Sequence, residues 1–248
     1  MSRAVLGLAE ADLRLVYHGR NTIGGFRRTV TCFAGKPGYL IHVGRSSFRV
    51  DRSDGRVHVL REASGGREPD TAERAPAGAI SLALGGVFCL HASAVATPGG
   101  VLAFVGRSGK GKSTLAAHLS SGNRRPWPLV SDDILAVSLG SSPPVVLRFS
   151  FPDTARAAAA ERLPLRAVYV LREWKRETVA VAPLPSREAF LAFARHGVAT
   201  RLLDPALRVA HFEGWVSASR TVPVLELFYP RRLSALGEVR RRLEPYLL

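Results

Sequence analysis

The stretch Gly106-Arg-Ser-Gly-Lys-Gly-Lys-Ser-Thr-Leu-Ala116 constrains the fold of this chain more than any other feature. It satisfies the spacing G-x-x-x-x-G-K-S, a loop that works only between a strand and a helix. The spacing therefore predicts a strand over VLAFV before it and a helix over STLAAHLSSG after it, ending at Gly122. Gly106, Gly109 and Gly111 let the backbone curl so that successive N–H groups, through Ser108, Lys110 and Thr114, face phosphate oxygens at the start of a helix. Lys112 then reaches the β- and γ-phosphates, and the Ser113 hydroxyl is a magnesium ligand. The motif implies a nucleotide and Mg²⁺. Arg107 and Lys110 add charge, although in so exposed a loop solvated charge is an equally good reading.

Two further features bear on chemistry. Asp132 and Asp133 follow the apolar run PLV at a strand end. Phosphoryl transfer needs a carboxylate on the metal and, for a hydroxyl acceptor, a base to take its proton. Neighbouring strand residues face opposite sides, so a paired Asp-Asp serves both needs only where the strand ends or twists. The plainer alternative makes one a metal ligand and the other a turn cap. His91 opens the segment HASAVA, read as the strand before the loop strand, which sets it near the phosphates. A lone histidine is otherwise most simply a structural residue.

The rest of the chain supplies a framework. Residues 38 to 61 alternate apolar and polar around Ser-Asp-Gly, which predicts a small antiparallel layer with Phe48 and Val50 facing Val57 and Val59. EASGGREPDTAERAPAG, rich in Gly, Pro and charge, reads as a linker, and AISLALGGVFCL as a buried helix. The domain organisation is then a β-rich segment 1–61, a linker 62–78 and a phosphate-loop domain 79–248. Downstream, LVSDDILAVS reads as strand broken at the aspartates, and VVLRFSF as a strand. DTARAAAAERL reads as a helix capped by Asp153 or Thr154. RAVYVL and VAVAPL read as a strand pair, SREAFLAFARH and PALRVAHFEGWVSAS as helices, VPVLELF as a strand, and 233–248 as a basic helix. The fold class is α/β, an α+β arrangement with a mixed sheet.

With 46% hydrophobic residues the chain is not a disordered one. The formal net charge of +15 favours phosphate-bearing or acidic partners, unless arginine is simply abundant by codon bias. Nothing resembles a zinc finger, a helix-turn-helix or an aromatic-interleaved basic strand, which argues against nucleic acid. Cys32 and Cys89 lie far apart with no metal-ligand spacing, and no apolar run is long enough to span a bilayer. A cytoplasmic location is the expectation.

Leu90-His-Ala-Ser-Ala-Val, Val105 to Ala116 and Val130-Ser-Asp-Asp, in that order, resemble the HPr kinase/phosphorylase superfamily. More narrowly they resemble the HPr-kinase-related proteins of bacterial peptide-modification clusters, including the lasso-peptide kinases. The likeness is best from about Ala79 to Pro152. It implies the HPr-kinase/phosphoenolpyruvate-carboxykinase type of core and a homo-oligomer. It also implies that His91 orients Asp132 as general base toward a serine hydroxyl, while Asp133 and Ser113 hold magnesium. The large N-terminal domain of the bifunctional enzymes and their downstream phosphorolysis signature have no counterpart here, which leaves ATP-dependent kinase chemistry as the expectation and its reversibility open. Arg148 and Arg195 are the candidate phosphate clamps.

The resulting expectation is an ATP- and magnesium-dependent serine kinase acting on a ribosomally made precursor peptide. A small-molecule kinase of the same superfamily, for free serine or a sugar, is the alternative. A transporter-type ATPase is a third reading, weakened by the absence of an LSGGQ-like stretch and of a strand ending in Asp-Glu.

Overall fold

The computed structural model of the chain describes residues 12–23, 26–61, 68–121, 126–149, 151, 154–173 and 177–244. They divide into two compact units, Met1–Gly86 with Ser150–Ala158 and Ala199–His211, and Val87–Phe149 with Ala159–Val198 and Phe212–Leu248.

In the first unit, β1 (Arg14–Ile23), β2 (Phe26–Gly35), β3 (Gly38–Val43), β4 (Ser46–Asp51) and β5 (Val57–Arg61) form an antiparallel meander in that order. The expected pairs Phe48–Val59 and Val50–Val57 face each other across β4 and β5. The layer also reaches back to Arg14, because β1 and β2 pair over their whole lengths. Alternation builds its core: Val30, Cys32, Tyr39, Ile41, Val43, Phe48 and Val50 are fully buried. Tyr39 and Arg52 also grip a distant residue, Asp204. The Tyr39 hydroxyl accepts from the Asp204 backbone N–H at 3.1 Å, and Arg52 Nη2 lies 2.5 Å from the Asp204 carboxylate.

The supposed linker needs correction. Residues 71–78 open helix α1 (Thr71–Leu84), which packs on β4. Its start is a complete capping box: the Asp70 side chain accepts from Glu73 N at 2.8 Å, and the Glu73 side chain accepts from Asp70 N at 3.1 Å. Arg28 on β2 binds both carboxylates, at 3.2 Å and 2.5 Å. Polar composition suggested a loop; those polar groups instead satisfy the helix start. Residues 62–67 of the linker lie outside the described residues. The buried helix read over 79–90 is also half strand. It stops at Gly85, Gly86 takes φ 72°, which L side chains rarely adopt, and Val87 begins a strand.

The second unit contains β6 (Val87–Thr97), β7 (Gly100–Val105), α2 (Lys112–Ser120), β8 (Leu129–Ser131), β9 (Ile134–Ser138), β10 (Val145–Arg148) and β11 (Glu161–Glu173). They are followed by β12 (Ala180–Pro183), α3 (Ser186–His196), most of α4 (Pro205–Thr221), β13 (Val224–Tyr229) and α5 (Leu236–Leu243). The mixed sheet runs β10-β9-β6-β7-β11-β13-β12, with β8 on β6. The α/β mixed-sheet class is therefore the one expected. β7 is wholly buried between antiparallel β6 and parallel β11. α2 and α5 share its core, with Leu115, Leu119, Val239 and Leu243 against Phe104, Tyr169 and Leu227.

Two readings change in this unit. DTARAAAAERL is not an α-helix: Thr154–Ala159 is a short 3₁₀ turn and Glu161 already belongs to β11. Pro164 disfavours helix at the residue before it, and Glu161 to Pro164 pair with β10 instead. Asp153 lies outside the described residues, as does Gly122. RAVYVL and VAVAPL are not partners either, since β13 lies between β11 and β12. Because β10 pairs with both β9 and β11, the strands β10-β9-β6-β7-β11 close on themselves.

Candidate functional site

The loop 106–111 joins the end of β7 to the start of α2. Gly109 and Gly111 take φ 75° and 86°, in the left-handed region, and Lys112 starts α2 with no side-chain cap on the helix. The first N–H groups of α2 are thus left for a phosphate to satisfy. Ser113 and Thr114 are exposed, whereas Lys112 is buried and its ammonium donates to the Gly106 carbonyl at 3.0 Å. Burial lowers the Lys112 pKa, against the opposing charges of Asp133 and Asp132.

The end of β13 holds this loop. Tyr229 OH donates to the Lys110 carbonyl at 3.4 Å, and Arg231 donates to the Gly109 carbonyl. A Cβ on Gly111 would stand 2.9 Å from Tyr229 OH, whereas one on Gly109 meets nothing within 4 Å. Gly109→Ala is expected to cost the backbone term alone, about 1–2 kcal/mol. Gly111→Ala must also displace Tyr229, and calorimetric melting is expected to fall further for it, by several degrees in all. Equal melting temperatures for the two variants would remove Tyr229 as the constraint on Gly111.

Asp132 and Asp133 form the turn between β8 and β9, pinned to β6. The Ala92 N–H donates to Asp133 O at 3.0 Å, and Ser131 Oγ donates to Ile134 O at 2.7 Å. Buried Ser93 lies with Oγ 2.9 Å from Asp132 O and 3.1 Å from its Oδ1. His91 stands within β6 rather than at its start, and its Nδ1 is 2.9 Å from Asp133 Oδ1. The expected pairing of His91 with Asp132 is therefore corrected to Asp133: residue 91 is paired with Ile134, and the adjacent aspartate is the one its ring meets. That hydrogen bond is the main cause holding the Asp133 carboxyl below its ordinary pKa; burial opposes it, and the charges of His91 and Lys112 add to it. Asp133 is still 75% exposed, so a substrate can reach it.

The two proposed clamps part company. Arg148 faces Glu161 across β10 and β11 at 3.3 Å and donates to Leu129 O at 3.4 Å, so its guanidinium is engaged within the sheet. Arg195 is exposed in the last turn of α3, where its charge bears on His196. His196, the next residue of α3, carries no signal in the sequence reading. Val198 N donates to Cys89 O at 2.8 Å and Leu90 bridges Gly197 in antiparallel sense, which sets the end of α3 against β6 one residue from His91. α3 is braced there by Phe193, stacked on fully buried Trp215 of α4 at 4.9 Å. Burial, then the charges of Lys112, His91, Arg172 and Arg195, push the His196 pKa down to about 4.

A buried lysine within the field of two exposed carboxylates, uncapped helix N–H groups and the exposed Ser113 hydroxyl are a donor set that suits a magnesium-bound polyphosphate. Such a metal keeps phosphate and water oxygens and needs only one or two from the protein. Ser113 with one aspartate meets that need, and the residues fit the group.

Among the described residues no helix is long and apolar enough to cross a membrane. A scan against protein-family models gives no match, and a search of curated proteins gives none. Among solved structures the chain is similar to the Hpr(Ser) kinase/phosphatase from Coxiella burnetii. The two share 13% identity at a TM-score of 0.34, over 63% of this chain and 97% of that one. A likeness of that size carries no conclusion about the chemistry of this chain.

Proposed function

We propose that this protein is an ATP-dependent kinase that transfers the γ-phosphate to a serine hydroxyl of a ribosomally made peptide. The observation that carries the reading is the His91–Asp133 pair, 2.9 Å apart, with Asp133 in the field of Lys112. A site that only grips a nucleotide has no use for an exposed carboxylate oriented by an imidazole; a hydroxyl acceptor does. The peptide as acceptor is supported by the motif resemblance to lasso-peptide kinases and by the +15 charge, which favours acidic partners.

In this mechanism the loop N–H groups and Lys112 hold the β- and γ-phosphates. Asp132, steadied by Ser93, and Ser113 would hold Mg²⁺, which offsets charge developing on the phosphate oxygens. Asp133 accepts the hydroxyl proton as the acceptor oxygen bonds to the γ-phosphorus and the bond to the ADP oxygen breaks. His91 keeps the receiving carboxylate oriented. The roles of the two aspartates are thus exchanged relative to the family-based expectation, because an orienting histidine acts on the carboxylate it touches.

The test is incubation with ATP, magnesium and either a serine-containing peptide library or a mixture of free serine and sugars, followed by mass measurement. A peptide gaining one phosphate is expected. ATP hydrolysis with no phosphorylated acceptor would sink the kinase reading, and phosphate on the metabolites alone would replace the peptide.

A further inference from the structure

Three side chains of the second unit have no part in the mechanism above yet border its centre: Arg231 at the loop crown, Arg195 and His196. Arg231 already donates to the Gly109 carbonyl, and Arg195 is exposed with no hydrogen bond or ion pair among the described residues. His196 differs. The backbone contacts Val198–Cys89 and Leu90–Gly197 hold the end of α3 against β6, with His196 and His91 each one residue from the bridge. It is half-buried, and among the described residues no side-chain hydrogen bond or ion pair occupies its ring nitrogens.

An imidazole in that place faces a choice of ligands that its charge narrows. Burial and the surrounding cations keep it uncharged at neutral pH, so it is poorly suited to gripping a phosphate, which Lys112 and the loop already do. An uncharged ring still offers one hydrogen-bond donor and one acceptor. On a helix end held one residue from the histidine that orients the base, those groups suit a polar but uncharged part of whatever brings the hydroxyl.

We propose that His196 is a substrate-contacting residue of the acceptor subsite, where its imidazole hydrogen-bonds an amide of the acceptor adjacent to the reacting hydroxyl. This rests on the kinase reading above and narrows it. The acceptor class is one with an amide beside its hydroxyl, as a serine within a peptide has and a sugar lacks. Acceptor binding and nucleotide binding then separate by residue, with His196 on the acceptor side and Lys112 on the nucleotide side.

The experiment is steady-state transfer by the full chain and its His196→Ala and His196→Gln variants, using the peptide that the unaltered protein phosphorylates best from a serine-containing library. Loss of one hydrogen bond predicts an acceptor KM raised about tenfold in His196→Ala. The ATP KM and the rate at saturating acceptor are expected to stay near those of the unaltered protein, and His196→Gln to recover most of the acceptor affinity. A fall in kcat with unchanged acceptor KM would make His196 act through His91 and overturn the proposal. So would a parallel rise in ATP KM, or a glutamine variant as impaired as alanine. Absence of transfer by the unaltered protein would remove the kinase reading itself, and this inference with it.

Discussion

Asp133→Asn is expected to lower phosphoryl transfer by about 10²–10⁴-fold while leaving ATP affinity nearly intact, the range for loss of a positioned base. The asparagine oxygen can still accept from His91 Nδ1, 2.9 Å away in the native pair, so geometry is kept and only proton affinity is lost. Asp132→Asn is expected to behave differently. Its carboxylate is anchored by Ser93 and removal of its charge is expected to raise the magnesium concentration needed for half-maximal transfer. Rates measured over a magnesium titration separate the two variants. If Asp132→Asn abolished transfer at saturating magnesium while Asp133→Asn retained it, the exchange of roles argued from the His91 contact would be wrong.

Acidification is expected to destabilise both units, each through one histidine, buried in the first and half-buried in the second. His196 in the second unit and His211 in the first are both lowered from 6.5 to about 4, His211 by burial and His196 by burial with neighbouring cations. The sign follows from proton counts. Between those pH values the unfolded chain binds a proton on each ring and the folded chain does not, so unfolding becomes easier as pH falls. By linkage each histidine removes about 2–3 kcal/mol between pH 7 and pH 4.5, roughly a third of the stability of an ordinary domain. The depressed Asp133 acts in the same direction, since its contribution is present above its unfolded pKa and lost as pH falls through the folded one. Urea unfolding at the two pH values is the measurement, with His211→Phe as the comparison. A pH dependence unchanged by that substitution would show that His211 does not carry the effect.

Much of the second unit was legible because local and tertiary signals agree there. VLAFV is apolar throughout and becomes the fully buried β7, and the glycines after it are required by the conformations they adopt. The aspartate turn was legible as a break between strands. What was hidden depends on residues far apart in sequence. α1 hides because Asp70 and Glu73 look like loop residues until Arg28 is placed beside them. Alanine-rich 154–161 suggests a helix until β10 offers Glu161 to Pro164 a strand to pair with. The choice of Asp133 over Asp132 depends on the register of β6 with β9, and His196 on a backbone bridge at Leu90, neither of which has a local sequence signal.

The first unit is assembled from three separated segments, the last being Ala199–His211. During synthesis the meander and α1 leave the ribosome well before that segment exists. At about 5–20 residues per second the delay is of the order of ten seconds. For that interval Tyr39 and Arg52 lack Asp204, and the Cys32 thiol lacks the Leu202 carbonyl it otherwise contacts at 3.5 Å. Completion of this unit therefore waits on its last segment even though its strands come first, and a nascent chain stalled before residue 199 is expected to present the sheet in an unfinished, chaperone-accessible form.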